Sequence, residues 1–447
     1  MRFKFLSVIT ASLLFSWSQT SAQEILTLQQ AVKFALDNKK EAKNSKLDLE
    51  NAQYQIDEVR SGALPQITGV GSVTYNPLIQ QNVIVMEDPA TGQSVSTVIQ
   101  FGQPWQANSN LQVSQQIFNQ ALFTGLKAAR TTREFYQVNK ELTDEQLIEK
   151  VANAYYQVFQ SQLQVETVES NLGNTEKNQR VIQGLVDAGL AKKIDLDRTT
   201  VQVNNLNAQL QQAKNALEIQ ENALKFAMGM DITAQIDLPD ETFAIDAQAL
   251  ENLPIDLDNR TEIRVLEKQT ELLELDKKAK IADYYPTLSF SGNLGYMSFA
   301  QRFPIFNGNA TKTAYSALGL NLSIPIFNGG KTKSQISQKN IEILRAKVEL
   351  EDTKLALTMA SENARTQVKN SLLTINSNEG NVKLAKEVLD NTENNYKNGL
   401  ATLTELLDAE NAYADAQNNL NNSLLDYKVA EVQLIKSKGN LKTLVNE

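Results

Sequence analysis

The chain has 447 residues, 42% of them hydrophobic and 21% charged, with 19 Gly, 9 Pro, and neither histidine nor cysteine. The two zeros exclude disulfides, thiol nucleophiles and zinc–thiolate sites, and they remove the commonest general base and metal ligand. A net charge of −9 argues against nucleic-acid binding, and the scarcity of Pro and Gly favours long helices over several small domains.

Residues 1–22 read as a secretory signal peptide: Arg2 and Lys4, an apolar run from Phe5 to Trp17, then small residues up to a cut after Ala22. The apolar run falls short of the roughly 20 residues that a spanning helix needs. Removing this segment takes two bases and no acid, so the net charge of −9 becomes −11.

Two segments that alternate in polarity follow, at about 66–76 and 108–118. The first puts Ile67, Gly69, Gly71, Val73 and Tyr75 on one face and Gln66, Thr68, Val70, Ser72, Thr74 and Asn76 on the other. The second sets Leu111, Val113 and Ile117 against Asn110, Gln112, Ser114 and Gln116. About ten residues of period-two alternation is the length of a tilted membrane-spanning strand. Between them lies a long loop, about Pro77 to Ala107.

From Ala121 to Asp187 there is no proline, and the spacing predicts one helix of roughly 100 Å at about 1.5 Å per residue. It stops at Gly189-Leu190. A second helix carries a heptad stripe of Leu196, Thr199, Val203, Leu206, Leu210, Ala213, Leu217, Gln220 and Leu224. Residues 231–258, with Pro239 and Pro254, break the helical pattern and read as a linker.

Residues 259–447 then repeat the order found in 23–230. Alternating segments fall at about 287–297 and 317–327, separated by a shorter loop, about Ser298 to Ala314. A helix from Lys331 to Asn398 ends at Gly399-Leu400. Its successor carries Leu406, Ala409, Tyr413, Ala416, Leu420, Ser423, Tyr427, Ala430 and Leu434, each 210 residues after its counterpart in the first stripe. Gly189-Leu190-Ala191 matches Gly399-Leu400-Ala401 at the same offset, and Ile117-Phe118-Asn119 matches Ile326-Phe327-Asn328. Aromatics near the strand ends suggest two interfacial girdles: Phe118, Tyr284, Tyr285 and Phe327 at one end, Tyr75, Trp105, Tyr296 and Tyr315 at the other. Four strands cannot close a barrel, and open edges are not tolerated in lipid, so spanning strands require several chains to share one barrel.

The order of helix, strand, loop, strand, long helix, Gly-Leu turn and helix, given twice, resembles the outer-membrane efflux protein family, the TolC-like channels. Its most recognisable piece is Pro325-Ile326-Phe327-Asn328-Gly329-Gly330, where the fourth strand turns into the long helix. The resemblance implies a mixed, mainly α fold with an internal two-fold repeat, in which four transmembrane β-strands per chain contribute to a trimeric twelve-stranded barrel. A long periplasmic coiled-coil tunnel continues the barrel. It also implies a homotrimer in outer-membrane lipid that serves as the passive exit duct of a tripartite efflux or type I secretion system. Its partners would be a periplasmic adaptor protein and an inner-membrane pump of RND, ABC or MFS type. No enzymatic activity, cofactor or metal is expected.

Gly330-Lys331-Thr332 has the ending of a phosphate-binding loop, but Pro325 stands where that loop needs a glycine, so a strand-to-helix turn is the better reading. The remaining site residues follow from the resemblance. Gly189, Leu190, Gly399 and Leu400 correspond to the turns where the adaptor packs, and they also suit simple helix caps. Glu405 and Asp408, six and nine positions after Gly399, match the acids that ring the periplasmic entrance. Thr402 with Glu405 also forms a capping-box pattern. Tyr396 and Asp195 match residues that hold the entrance closed, whereas the basic partner some members carry is here Ala401. A structural trimer with coiled-coil stalks, such as an adhesin, is the alternative from another class.

Overall fold

The computed structural model describes residues 26–87, 89, 92–239, 256–303 and 310–446. The expected signal peptide lies outside them, as does the stretch 240–255 of the expected linker. The elements run in the order α1 (Leu28–Asn38), α2 (Lys40–Ser61), β1 (Gln66–Tyr75), β2 (Gln81–Glu87), β3 (Ser94–Gln100), β4 (Trp105–Phe118), α3 (Gln120–Asp187), α4 (Lys193–Met228), α5 (Thr261–Ala282), β5 (Thr287–Ala300), β6 (Thr311–Ser323), α6 (Lys331–Lys397), α7 (Leu403–Ser437) and α8 (Thr443–Asn446).

The chain folds as two compact units. One holds Met1–Ala42, Asp144–Pro254 and Ser361–Glu447, and the other Lys43–Thr143 and Ile255–Ala360. Each unit draws on both sequence repeats.

The second unit carries a four-stranded antiparallel sheet in the order β1-β4-β5-β6. Directly paired residues share a face, so the register sorts the side chains. One face collects Ile67, Val73, Leu111, Val113, Phe290, Leu294, Leu318, Leu320 and Leu322 through the pairs Ile67↔Val113, Leu111↔Leu294, Gly292↔Leu318 and Phe290↔Leu320. The other face collects Thr68, Ser72, Gln112, Asn110, Ser291, Asn293 and Asn321. Ile67, Leu294, Leu318, Leu320 and Leu322 are all exposed, which leaves the apolar face without a protein partner in the single chain. Among the described residues, the outer edges of β1 and β6 are unpaired. On the helical side of the sheet, α5 is tied to α3 by Arg264–Glu141 at 2.8 Å and Lys268–Glu134 at 2.6 Å, and to α6 by Lys339–Asp276 at 2.8 Å.

Three sequence expectations change. The fourth strand runs over Thr311–Ser323 rather than 317–327, because Pro325 has no N–H to give a ladder and restricts Ile324 before it. The first loop is not irregular: β2 and β3 form a hairpin from Gln81↔Gln100 to Glu87↔Ser94. Tyr315 does not belong to a lipid-facing girdle. It pairs with Gly295 on the polar face, its ring lies where a Cβ of Gly295 would stand, and its hydroxyl donates to Asn108 Oδ1 at 3.3 Å. Tyr296, which pairs with Ser109, sits on the apolar face but four rungs in from the stacked Tyr75 and Trp105 rings.

In the first unit, α1, the ends of α4 and α7, and Leu441 pack around the middle of α3. Ala31, Val32, Ala35, Ile148, Val151, Ala152, Val158, Leu224, Met228 and Val432 are buried there. The α7 stripe predicted from heptads is buried against α6 in two clusters. Ala364, Val368 and Ile375 of α6 meet Tyr427, Ala430 and Leu434, and Leu389 meets Leu406 and Ala409.

Candidate functional site

The candidate site lies in the first unit, at the turns that join α3 to α4 and α6 to α7. Both turns are built alike. Gly189 and Gly399 each adopt φ +74°, in the left-handed region where a Cβ is penalised. Behind Gly189, the Leu190 N–H donates to the Leu185 carbonyl at 2.7 Å and the Gly189 N–H to that of Val186 at 3.0 Å. Behind Gly399, the Leu400 N–H donates to Asn395 at 2.8 Å and the Gly399 N–H to Tyr396 at 3.0 Å. This pair of bonds is the Schellman motif, which satisfies carbonyls at a helix end. Nothing stands within 4 Å of a Cβ at either glycine, so backbone conformation and not crowding selects glycine. The following leucines stand 77% and 78% exposed, and neither is used to cover its own helix end. The glycines at the strand-to-helix turn, Gly329 and Gly330, are also left-handed, with Asn328 Nδ2 donating to Thr332 Oγ1 at 2.6 Å.

The two turns diverge at the next helix. Lys192 precedes α4 with no side-chain cap. Thr402 caps α7 as a full box: its Oγ1 accepts from the Glu405 N–H at 3.3 Å, and Glu405 Oε2 accepts from the Thr402 N–H at 2.6 Å. The Thr402 N–H, and then its hydroxyl, which donates to the same Oε2 at 3.0 Å, hold the Glu405 carboxyl below its ordinary value. Asp408 is exposed one turn further along α7. Tyr396 is half-buried beside the Leu389–Leu406 cluster. Burial, and then the nearby Asp195 carboxylate, push its phenol up from the usual 10.0, so the structure brings Tyr396 and Asp195 together. No hydrogen bond joins the two among the described residues.

A third acid, missed in the sequence, lies between α7 and α3. Glu410 is buried at 9% exposure and accepts from Asn178 Nδ2 at 2.6 Å and from Thr175 Oγ1 at 3.1 Å. Burial raises its carboxyl above the ordinary 4.5, against the two hydrogen bonds that lower it, with Glu393 adding a smaller upward push. In sequence Glu410 is one acid among many on a charged helix, two positions after Asp408. Its partners stand more than 200 residues away, so no local pattern marks it.

Among the described residues, no group of three or more Asp or Glu side chains could hold a metal ion, and no helix is long and apolar enough to cross a membrane.

Comparison with known proteins supplies the context for this geometry. The profile of the family described as "Outer membrane efflux protein" matches residues 31–230 and 254–440. "Outer membrane protein TolC" of Salmonella enteritidis is 23% identical over 455 residues, which covers 98% of this chain and 86% of that relative. Among solved structures, CusC superposes with a TM-score of 0.73 at 17% identity over 92% of both chains. The Campylobacter jejuni CmeC outer membrane channel gives 0.72 at 17% identity, over 98% of this chain and 94% of that one.

Proposed function

The chain belongs to the outer membrane efflux protein family and resides in the outer membrane, and from this premise we propose that three copies assemble into the exit duct of a pump-driven export system. The observation that carries the proposal is the four-stranded sheet. It has two unpaired edges, which are not stable in lipid unless edges join edges around a closed ring, and one exposed apolar face, which lipid covers. Three sheets supply twelve strands, with Leu318, Leu320 and Leu322 toward lipid and Asn110, Gln112 and Asn321 toward the lumen.

The chain's own side chains then bind, guide and gate. Leu190 and Leu400, held outward by the turns at Gly189 and Gly399, offer a periplasmic adaptor two apolar anchors, and an inner-membrane pump is reached through that adaptor. Glu405 and Asp408, repeated around a threefold axis, ring the periplasmic entrance. Three pairs of carboxylates at close quarters concentrate negative potential and favour cations. Tyr396 beside Asp195 ties α6 to α4 while the entrance is closed. With Ala401 in place of a basic residue the tie has no cation, and it rests on the nearness of the phenol to the carboxylate, which share no hydrogen bond among the described residues.

The test combines mass and conductance. Native mass measurement of the detergent-solubilised protein should give three chains, and the same sample should form ion-conducting pores in planar bilayers. A monomer, or a trimer that inserts and does not conduct, would instead favour a structural stalk.

A further inference from the structure

Helix α7 has two unlike seams. Toward α6 it is mainly apolar: Leu406, Ala409, Tyr427, Ala430 and Leu434 are buried against Leu389, Val368, Ile375 and Ala364, with two hydrogen bonds beside them, Ser361 to Ser437 at 3.3 Å and Asn378 Nδ2 to the Asn419 carbonyl at 3.1 Å. Toward α3 it is a ladder of polar contacts in antiparallel register. Glu410 meets Asn178 and Thr175, Asn421 Nδ2 donates to Thr167 Oγ1 at 3.1 Å, Gln160 Nε2 donates to Asn422 Oδ1 at 3.0 Å, and Lys436 pairs with Glu149 at 2.8 Å. Parting the apolar seam exposes buried hydrophobic surface to water, which costs in proportion to the area. Parting the polar seam exchanges its hydrogen bonds for bonds to water, at little net cost. The α6–α7 pair therefore leaves α3 more readily than it comes apart.

Glu410 is the acid buried in this seam nearest the second tip, seven residues into α7. The groups that face it from α3, Thr175 and Asn178, are neutral. The charge that bears on it is Glu393 of α6, itself paired with Lys397 at 2.6 Å, while Tyr396 and Tyr413 border the adjoining apolar cluster. Among the described residues, no lysine or arginine pairs with it. We propose that Glu410 is a proton-linked release on the α3–α7 seam: its ionised carboxylate gains water when the seam parts, so deprotonation drives the second tip away from α3 and protonation holds it there.

The direction of the linkage follows from the raised carboxyl. The packed seam binds the proton more tightly than water does, so packing is favoured below the ordinary value of 4.5 and the preference is lost as pH rises through the raised value. Glu410 is a positioning residue that acts through the seam and touches no cargo. The inference rests on the gated-duct reading.

The experiment follows hydrogen exchange of α7 amides 403–420 and single-channel opening of the full-length protein, both against pH. In the wild type, protection should fall by up to about tenfold per pH unit, the slope of one proton, across the interval in which opening rises. Glu410→Gln keeps the volume, accepts from Asn178 and donates to Thr175. It should abolish that slope in both readouts while the protein still folds and conducts. Asn178→Ala, which removes one donor to the carboxylate, should move the wild-type response to higher pH. A Glu410→Gln protein that conducts and keeps the wild-type pH slope in protection overturns the release and leaves the duct intact. Protein that conducts at no pH overturns the duct reading and the release with it.

Discussion

The two tip turns stop their helices in the same way and start the next helices differently. Gly189 and Gly399 share φ +74°, the same pair of backbone hydrogen bonds and a leucine standing about three-quarters exposed. After the first turn, α4 begins at an uncapped Lys192; after the second, α7 begins at a capping box whose acid is Glu405. The shared half of the design is what a docking partner would meet. The unshared half lies on the hairpin that carries Glu405, Asp408 and Glu410. A fixed start to α7 holds Glu405 and Asp408 in one register, as the proposed constriction requires.

The largest effect should come from the shared leucines. Replacing both, Leu190→Ser and Leu400→Ser, removes two exposed apolar anchors at roughly 1.5 kcal/mol each, about a hundredfold in adaptor affinity. Thermal stability should hold within about 0.5 kcal/mol, as for other exposed positions. Titration calorimetry with the adaptor reads the first and a melting curve the second. Unequal losses in the two single variants would show that the adaptor distinguishes turns that are alike in the single chain.

The glycines come next. Gly189→Ala and Gly399→Ala should each destabilise the tip by about 1–2 kcal/mol, the cost of a Cβ in left-handed backbone. The two costs should agree closely, since neither site adds a steric clash. Hydrogen exchange in the last turns of α3 and α6 would measure them, and a difference much above 1 kcal/mol would break the equivalence of the turns.

The smallest effect should fall on the unshared half. Thr402→Ala should cost about 1 kcal/mol at the start of α7, and Lys192→Ala nothing measurable at the start of α4. Because hydrogen bonds to Thr402 hold the Glu405 carboxyl below 4.5, the box is intact above that value and is lost as pH falls through the lowered one. Chemical-shift titration of Glu405 should show Thr402→Ala moving it up toward the ordinary value, with the backbone N–H of residue 402 still holding it below that value.

Much of this was legible in the sequence because the signals are local. A proline-free run gives the long helices, a Gly-Leu pair gives the tip, and an alternating run gives a strand. The β2–β3 hairpin escaped because Val83, Ile84 and Val85 run together without alternation, inside a segment bounded by Pro77 and Pro104. Tyr315 was placed by its distance along the strand, whereas parity decides its face, and its pairing with Gly295 puts it opposite Tyr296. Glu410 is the clearest case: burial and two donors from α3 set its chemistry, and both arise only when segments from the two repeats pack. The repeat is visible as sequence, but the compact units that cross it are not.

The central claim is that the second tip gates a cation-favouring entrance. The most direct test is single-channel conductance and reversal potential of the purified trimer beside Tyr396→Phe, Asp408→Ala and the double variant. The account predicts a cation-selective wild type, reduced cation preference in Asp408→Ala, and larger or more frequent openings once Tyr396 loses its hydroxyl. Conductance and selectivity unchanged in all three variants would contradict it.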